Sequence, residues 1–248
     1  MTLTDTPPTS KTGDWLVGTV REVTVATPGG RVLHIDVPGW PGNLAGQHLD
    51  LRLTAEDGYQ AVRSYSIASV GDGEVVELAV DQIPDGEVSP YLTIDVMPGD
   101  QLEVRGPLGG WFVWRPEQTE PVQLIAGGSG IVPLVAMLRA HAAAASAAPF
   151  RLLGSVRTWH DAFYYDEVNG LADDHTAITW RYTRKGPSGW EGPIGRIDRD
   201  SLSDAVFAPH EQPSVFVCGP TAFVEHVASL LVELGHDPAR IKTERFGG

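Results

Sequence analysis

The feature that most constrains this chain is a change of hydrophobic period part-way along it. Over residues 15–112, apolar side chains come in short alternating runs broken by Gly, Pro and Asp, as in Val32-Leu33-His34-Ile35-Asp36-Val37 and Leu49-Asp50-Leu51-Arg52-Leu53. A period of two turns one face of each run toward a core and leaves the other to solvent. Further runs at 61–69, 74–81 and 101–105 bring the count to about six strands, with one short helix over 89–95. So many short elements predict an antiparallel β-barrel. After the loop 115–121 the pattern becomes one of strands alternating with helices. Residues 122–126 read as a buried strand, Gly127-Gly128-Ser129-Gly130 as a tight turn, and 131–145 as a helix with Pro133 in its first turn. Runs at 151–156, 177–182 and 215–218 read as further strands. Residues 221–234 form an amphipathic helix whose apolar face is Phe223, Val224, Val227, Leu230, Leu231 and Leu234, with Gly235 just past its end. The expected fold is therefore two domains: a disordered tail over 1–13, an antiparallel six-stranded β-barrel with a short helix over 14–117, and an α/β doubly wound parallel sheet over 118–248.

Composition removes several functional classes. The 248 residues are 42% hydrophobic, enough for folded cores, and carry 18 basic against 32 acidic side chains, a net charge of -14. That sign is wrong for a protein that neutralises nucleic-acid phosphates. A single cysteine, Cys218, precludes an internal disulfide and the thiolate sets of zinc or iron–sulfur centres, and fits a reducing, cytoplasmic setting. No signal peptide is read in the polar residues 1–13. No membrane span is expected, because the most apolar later stretch, 131–148, is interrupted by Arg139 and His141. No two of the eight histidines lie closer than ten residues, so no metal site is expected. Ile131 replaces the last glycine that a G-x-S-x-G nucleophile elbow requires. No heptad seam argues for assembly, and a monomer is expected.

Several segments remain that could carry chemistry. The turn Gly128-Ser129-Gly130 offers backbone N–H groups at a helix start, where a pyrophosphate could approach closely; a tight turn with no ligand is the alternative. Residues 151–199 hold seven of the eighteen basic residues and seven acidic ones, so the rest of the chain carries the whole net charge. Arg157, Arg184 and Arg196 in that segment are candidates for a phosphate on an adenosine ribose. The alternative is that they pair with Asp161, Asp166 and Asp198. Earlier in the chain, Arg63-Ser64-Tyr65-Ser66 puts a cation, an aromatic plane and hydroxyls on one strand, and Gly86-Glu87-Val88-Ser89 opens the short helix as a second phosphate candidate. Ordinary packing and helix capping would explain both segments equally well. Cys218 ends the last strand before a helix, the crevice position of open α/β sheets, although a lone buried cysteine is more often inert packing.

Arg63-x-Tyr65-Ser66, Gly86-x-x-Ser89, Gly127-Gly128-Ser129-Gly130-Ile131-x-Pro133 and Cys218-Gly219-Pro220, in this order and spacing, resemble the ferredoxin–NADP reductase family. The resemblance covers nearly the whole chain from Trp15 onward. It implies that 14–117 is an FAD-binding barrel and 118–248 an NAD(P)-binding domain, with hydride passing from nicotinamide to the flavin. It implies that Arg63 contacts the flavin pyrophosphate, Tyr65 packs on the isoalloxazine and ribityl region beside Ser64, and Ser66 presents its hydroxyl near N5. Gly86, Val88 and Ser89 would form a second pyrophosphate clamp, and the run from Gly86 to Leu92 resembles FAD-binding more than FMN-binding members. Cys218, followed by Gly219 and Pro220, would lie beside the nicotinamide and orient it. The ending Thr243-Glu244-Arg245-Phe246-Gly247-Gly248 is similar to that of plant-type members, so Phe246 would cover the flavin face and Glu244 would lie near Ser66. The Gly-Gly extension and the Phe in place of Tyr depart from that pattern, and a frayed terminus is the alternative. Ser155-x-Arg157, Thr183-Arg184 and Gly195-Arg196 resemble the 2′-phosphate contacts of NADPH-using members, which favours NADPH and leaves NADH open. Ser66, Cys218 and Glu244 would be the catalytic set.

The function expected is an FAD-dependent oxidoreductase that passes electrons from NADPH to a separate partner, a ferredoxin or an oxygenase component. Two alternatives stay open: an NADH-dependent oxygenase reductase, and a flavin-binding regulatory subunit without turnover. A chain at -14 does not attract an acidic ferredoxin through its overall field, so docking would need a local basic patch, for which Arg105 and Arg115 are the candidates.

Overall fold

The computed structural model describes residues 14–246; the expected tail over 1–13, and Gly247 and Gly248, lie outside them. Six antiparallel strands form the first sheet: β1 (Leu16–Thr27), β2 (Gly30–Asp36), β3 (His48–Thr54), β4 (Gln60–Ser66), β5 (Val75–Asp81) and β6 (Gln101–Leu108), in the order β4-β3-β6-β1-β2-β5. A bridge between Ile67 and Leu78 brings the two edges together and closes the barrel. Its inward positions, among them Leu33, Ile35, Leu49, Leu51 and Leu78, are fully buried, as the alternation requires. The expected short helix is a single turn, Tyr91–Asp95. Strand β1 is longer than any run singled out in the sequence, because its outward face, including Val25, is largely exposed and blurs the alternation.

The second sheet contains five parallel strands: β7 (Val122–Gly127), β8 (Phe150–Thr158), β9 (Thr176–Lys185), β10 (Ser214–Pro220) and β11 (Ile241–Phe246), in the order β11-β10-β7-β8-β9. Helices α1 (Ile131–Ala143) and α2 (Tyr165–Gly170) pack on one face; α3 (Arg199–Ala205) and α4 (Thr221–Glu233) cover the other. The fold is thus the barrel and doubly wound sheet that the change of period implies. Helix α1 ends two residues before the expected limit, and α2, α3 and β11 were not singled out in the sequence. The first two are short and polar, and β11 carries three charged residues in six, so none has a readable apolar period.

Helix α1 is buried nearly all round, from Ile131 to Leu138, because it lies between the parallel sheet on one side and the barrel on the other. One apolar core accordingly joins Ala68 and Ala79 of the barrel to Val132, Val135 and Ala136 of α1. Helix α4 buries Val224, Val227 and Leu231 against β10 and stops at Gly235, whose φ of +97° suits glycine. The α4 face is the main cover of its side of the sheet. Leu231→Ala should therefore cost about 2 to 5 kcal/mol, read as a lower denaturant midpoint with an unchanged slope. A loss under 1 kcal/mol would mean that α4 is not a fixed layer of the domain.

Candidate active site

The chain order of the parallel sheet explains where a site can form. Strands β7, β8 and β9 step outward in one direction, and the chain then returns to place β10 on the other side of β7. The segments that follow the carboxyl ends of β7 and β10 therefore leave in opposite directions and open a crevice, the place where open α/β sheets take ligands. At that point β7 runs into the turn Gly128–Gly130, and β10 ends at Cys218, Gly219 and Pro220. The two ends approach very closely: a Cβ on residue 130 would lie 2.2 Å from the Cys218 carbonyl oxygen. Only glycine at 130 permits that approach. Gly128 has φ +55°, and Ser129 turns toward the barrel.

The barrel supplies the opposite wall. A cleft of about 410 Å³ is lined by Arg63, Ser64, Tyr65 and Ser66 at the end of β4, by Ala79 and Asp81 on β5, and by the loop containing Ile83, Gly86, Glu87, Val88 and Ser89. From the second domain come Ser129, Val132, Pro220 and Phe246. Five segments that the sequence singled out, far apart along the chain, therefore share one cleft. Tyr65 is mostly buried, and burial pushes its hydroxyl up to about 12 against the opposing pull of Arg63, so it stays protonated near neutrality. Ser89 is buried, and its Oγ accepts a hydrogen bond from the Ile83 amide at 3.0 Å, which closes the loop. Ser64 donates to Asp50 at 2.7 Å. Arg63 forms an ion pair with Glu87, whose other oxygen accepts from the Tyr59 hydroxyl at 2.8 Å.

Strand β11 completes the inner end. In register with β10, it sets Glu244 beside Cys218 and Phe246 beside Pro220, so the chain is ordered strand to Phe246 and the frayed alternative fails. Burial, and secondarily Glu244, hold the Cys218 thiol well above its usual range. Glu244 lies 3.8 Å from Nδ1 of His48, and His48 pairs across the β3–β4 ladder with Ser66. His48 links the expected trio of Ser66, Cys218 and Glu244, and sequence reasoning missed it. It is the first residue of β3, beside an irregularity in the pairing with β6, and belongs to no motif, so only the cross-strand register reveals it. Its contact with Glu244 raises its pKa above 6.5, against the opposing effect of burial.

The arginine set lies outside the cleft. Arg157 and Arg184 stand exposed at the carboxyl ends of β8 and β9, and Arg196 follows the bridge between Tyr182 and Ile194, so all three gather along one edge of the sheet. The pairing alternative is not what forms. Asp161 accepts from Thr158 at 2.7 Å and Asp198 caps α3 through Ser201, and among the described residues no carboxylate lies within 4.0 Å of these arginines. Arg157 acts at a distance on Asp81, whose pKa is raised by burial and opposed by that arginine. The expected basic patch needs correction: Arg105 pairs with Asp50 at 2.6 Å and lies over the Trp15 ring, so its charge is already used, and Arg115 alone stays exposed. Among the described residues no group of His, Cys, Asp and Glu could hold a metal ion, and no helix is long and apolar enough to cross a membrane.

Two family models match the chain: an oxidoreductase FAD-binding domain over residues 25–113 and an oxidoreductase NAD-binding domain over 124–229. The chain is 35% identical over 212 residues to ferredoxin–NADP reductase B of Sorangium cellulosum, covering 82% of this chain and 84% of that one. It is 29% identical over 214 residues to NADH-cytochrome b5 reductase 1 of Emericella nidulans, covering 83% and 67%. Among solved structures, an Amycolatopsis cytochrome P450 reductase, GcoB, superposes with a TM-score of 0.81 at 27% identity, over 94% of this chain and 70% of that one.

The His48–Glu244 contact makes a pH prediction. Because the folded-state pKa of His48 is raised above its unfolded value of 6.5, the stability it contributes is present below 6.5 and fades as pH rises through the raised value. Thermal melting of Glu244→Gln beside the unaltered protein should therefore show a gap in Tm near pH 6 that closes by about pH 9. A gap independent of pH over that range would mean that His48 and Glu244 are not coupled.

Proposed function

As this chain belongs to the ferredoxin–NADP reductase-like family of flavoprotein oxidoreductases and carries its FAD-binding and NAD-binding domains, we propose that it takes hydride from NADPH and passes the electrons to a separate carrier, a ferredoxin or an oxygenase component. The observation that supports this best is the convergence of the β4 segment, the Gly86–Ser89 loop, the glycine turn and Phe246 on one cleft. The residues fit FAD. Two aromatic rings, Tyr65 from the barrel and Phe246 from β11, bound a space with hydroxyl and guanidinium donors at its walls, and the missing side chain at Gly128 leaves the backbone open to an anion. When bound, the flavin accepts a hydride from the nicotinamide and releases electrons one at a time.

Each residue then has a task. Arg63 and the loop of Gly86, Val88 and Ser89 hold the flavin pyrophosphate, and Ser64 and Tyr65 fix the ribityl and ring region. Ser66 presents its hydroxyl at the reacting edge, with His48 behind it holding a proton that Glu244 favours. Gly128, Ser129 and Gly130, with Gly219 and Pro220, receive the nicotinamide dinucleotide. Cys218 stays a neutral thiol and orients the nicotinamide by contact, without covalent chemistry. Phe246, at the end of β11, would cover the flavin ring and exclude water there.

The choice of NADPH rests on Arg157, Arg184 and Arg196, three exposed arginines without carboxylate partners at one sheet edge of a protein whose net charge is -14. A second reading, with NADH as donor, is favoured by the Emericella relative, whose name specifies NADH. Anaerobic titration of the FAD-loaded protein separates the two: low concentrations of NADPH should bleach the flavin, with NADH much weaker. Arg157→Ala should weaken NADPH about tenfold or more while leaving NADH within about twofold. Equal losses for both nucleotides would remove the arginine argument. A flavin that neither nucleotide bleaches would point to an accessory subunit without turnover.

The Arg63–Glu87 pair yields a second test. Glu87 occupies the guanidinium that the pyrophosphate needs and brings a like charge to the same place. Glu87→Gln should therefore tighten FAD, by up to about fivefold for a pair this exposed. Quenching of flavin fluorescence on binding to the apoprotein measures it, and weaker binding by the variant would show that Glu87 belongs to the cradle instead of competing with the cofactor.

A further inference from the structure

Arg139 is the only charged residue on α1, and nothing in the functional reading uses it. It lies seven residues from Val132, two turns along the same face of the helix, and Val132 lines the cleft. Glu77 bears the same relation to the cleft on β5: positions 77, 79 and 81 share a strand face, and Ala79 and Asp81 line the cleft. Helix and strand thus run side by side with the cleft at one end. The other end is closed by Arg139.

All five donors of its guanidinium are used. Nη1 donates to the Ala68 carbonyl and to Glu77 Oε2, both at 3.0 Å. Nη2 donates to Glu77 Oε1 at 3.2 Å and to Glu167 Oε2 at 2.9 Å, and Nε donates to Glu167 Oε1 at 2.6 Å. One carboxylate and one carbonyl come from the barrel; the other carboxylate comes from α2 in the second domain. The Tyr164 ring, held at a left-handed φ of +58°, lies 5.0 Å below the guanidinium. Beside this clamp the two domains share an apolar seam that includes Ala68 and Ala79 of the barrel and Val132, Val135 and Ala136 of α1, with the Phe163 ring against Gly30. Apolar packing of this kind is non-directional, whereas a two-carboxylate fork on a planar guanidinium fixes an angle.

We infer that Arg139 is a positioning residue for hydride transfer: its fork to Glu77 and Glu167 sets the angle between α1 and the barrel, and so the separation of the two cofactor sites. The inference rests on the function proposed above. The nine residues from Arg139 back to Gly130 make a lever of about 14 Å, so a rotation of about 4° at the clamp displaces the glycine turn by about 1 Å, a misplacement that commonly costs a hundredfold in rate.

The test uses the FAD-loaded protein with Arg139→Met, Arg139→Lys and the double variant Arg139→Met with Glu77→Gln. Arg139→Met strands a carboxylate that is only 11% exposed and should lower Tm; removing both partners should restore most of it. The limiting rate of flavin reduction in rapid mixing should fall at least about tenfold in Arg139→Met and stay low in the double variant, with half-saturation by nucleotide within about twofold. Arg139→Lys should lie between, having the charge without the fork. Independently of activity, amide hydrogen exchange across residues 67–70 and 75–81 should quicken in both Met variants. A reduction rate that recovers together with Tm in the double variant, or exchange at the seam that matches the unaltered protein, overturns the positioning role. If no nucleotide bleaches the unaltered protein, the functional reading fails, and the inference with it, whatever the exchange data report.

Discussion

Everything that gathers around the cleft depends on one backbone contact, the approach of residue 130 to the carbonyl of Cys218. That distance brings β7 and β10 together at their carboxyl ends while the chain order forces their continuations apart. The crevice, the direction in which α1 leaves it, and the reach of Ser129 toward the barrel follow from it. A side chain at 130 would have to push β10 away, and β11, paired along β10, would carry Glu244 and Phe246 off with it. A single missing Cβ thus fixes the positions of groups more than a hundred residues further along the chain.

Much of the fold is legible in the sequence because the two halves bury their strands differently. The barrel strands have one wet face and alternate; β7 and β10 are buried on both faces and read as continuous apolar runs. The segments that escape notice are those whose order comes from partners. Strand β11, with lysine, glutamate and arginine among its six residues, is a strand because β10 offers it a parallel edge. The motifs around Arg63, Gly86, Gly128 and Cys218 were visible, but which of them share a wall was not, since that depends on how the barrel is set against α1. His48 was invisible for the same reason: its meaning lies in facing Ser66 across a ladder and Glu244 across a domain boundary.

Charge is distributed in this molecule by engagement more than by count. Fifteen of its eighteen basic residues are arginine, and several are engaged in holding the architecture: Arg52 on Glu103, Arg105 on Asp50, Arg139 on two glutamates. An expectation based on sequence position alone placed Arg105 at a docking patch, whereas its proximity to Asp50 and Trp15 makes it part of the barrel wall. The arginines left without partners are therefore the informative ones, because in an acidic protein an unneutralised cation stands out against the local field.

The burial of Cys218 has a chemical consequence of its own. Proteins that hold reduced flavin in the presence of oxygen generate peroxide, and peroxide attacks cysteine as the thiolate. Here the only sulfhydryl stands at the crevice, 1% exposed and with its ionisation strongly suppressed by burial and by Glu244. A sulfur held in this way is almost never in the form that oxidants consume, so burial itself protects the one cysteine of the sequence.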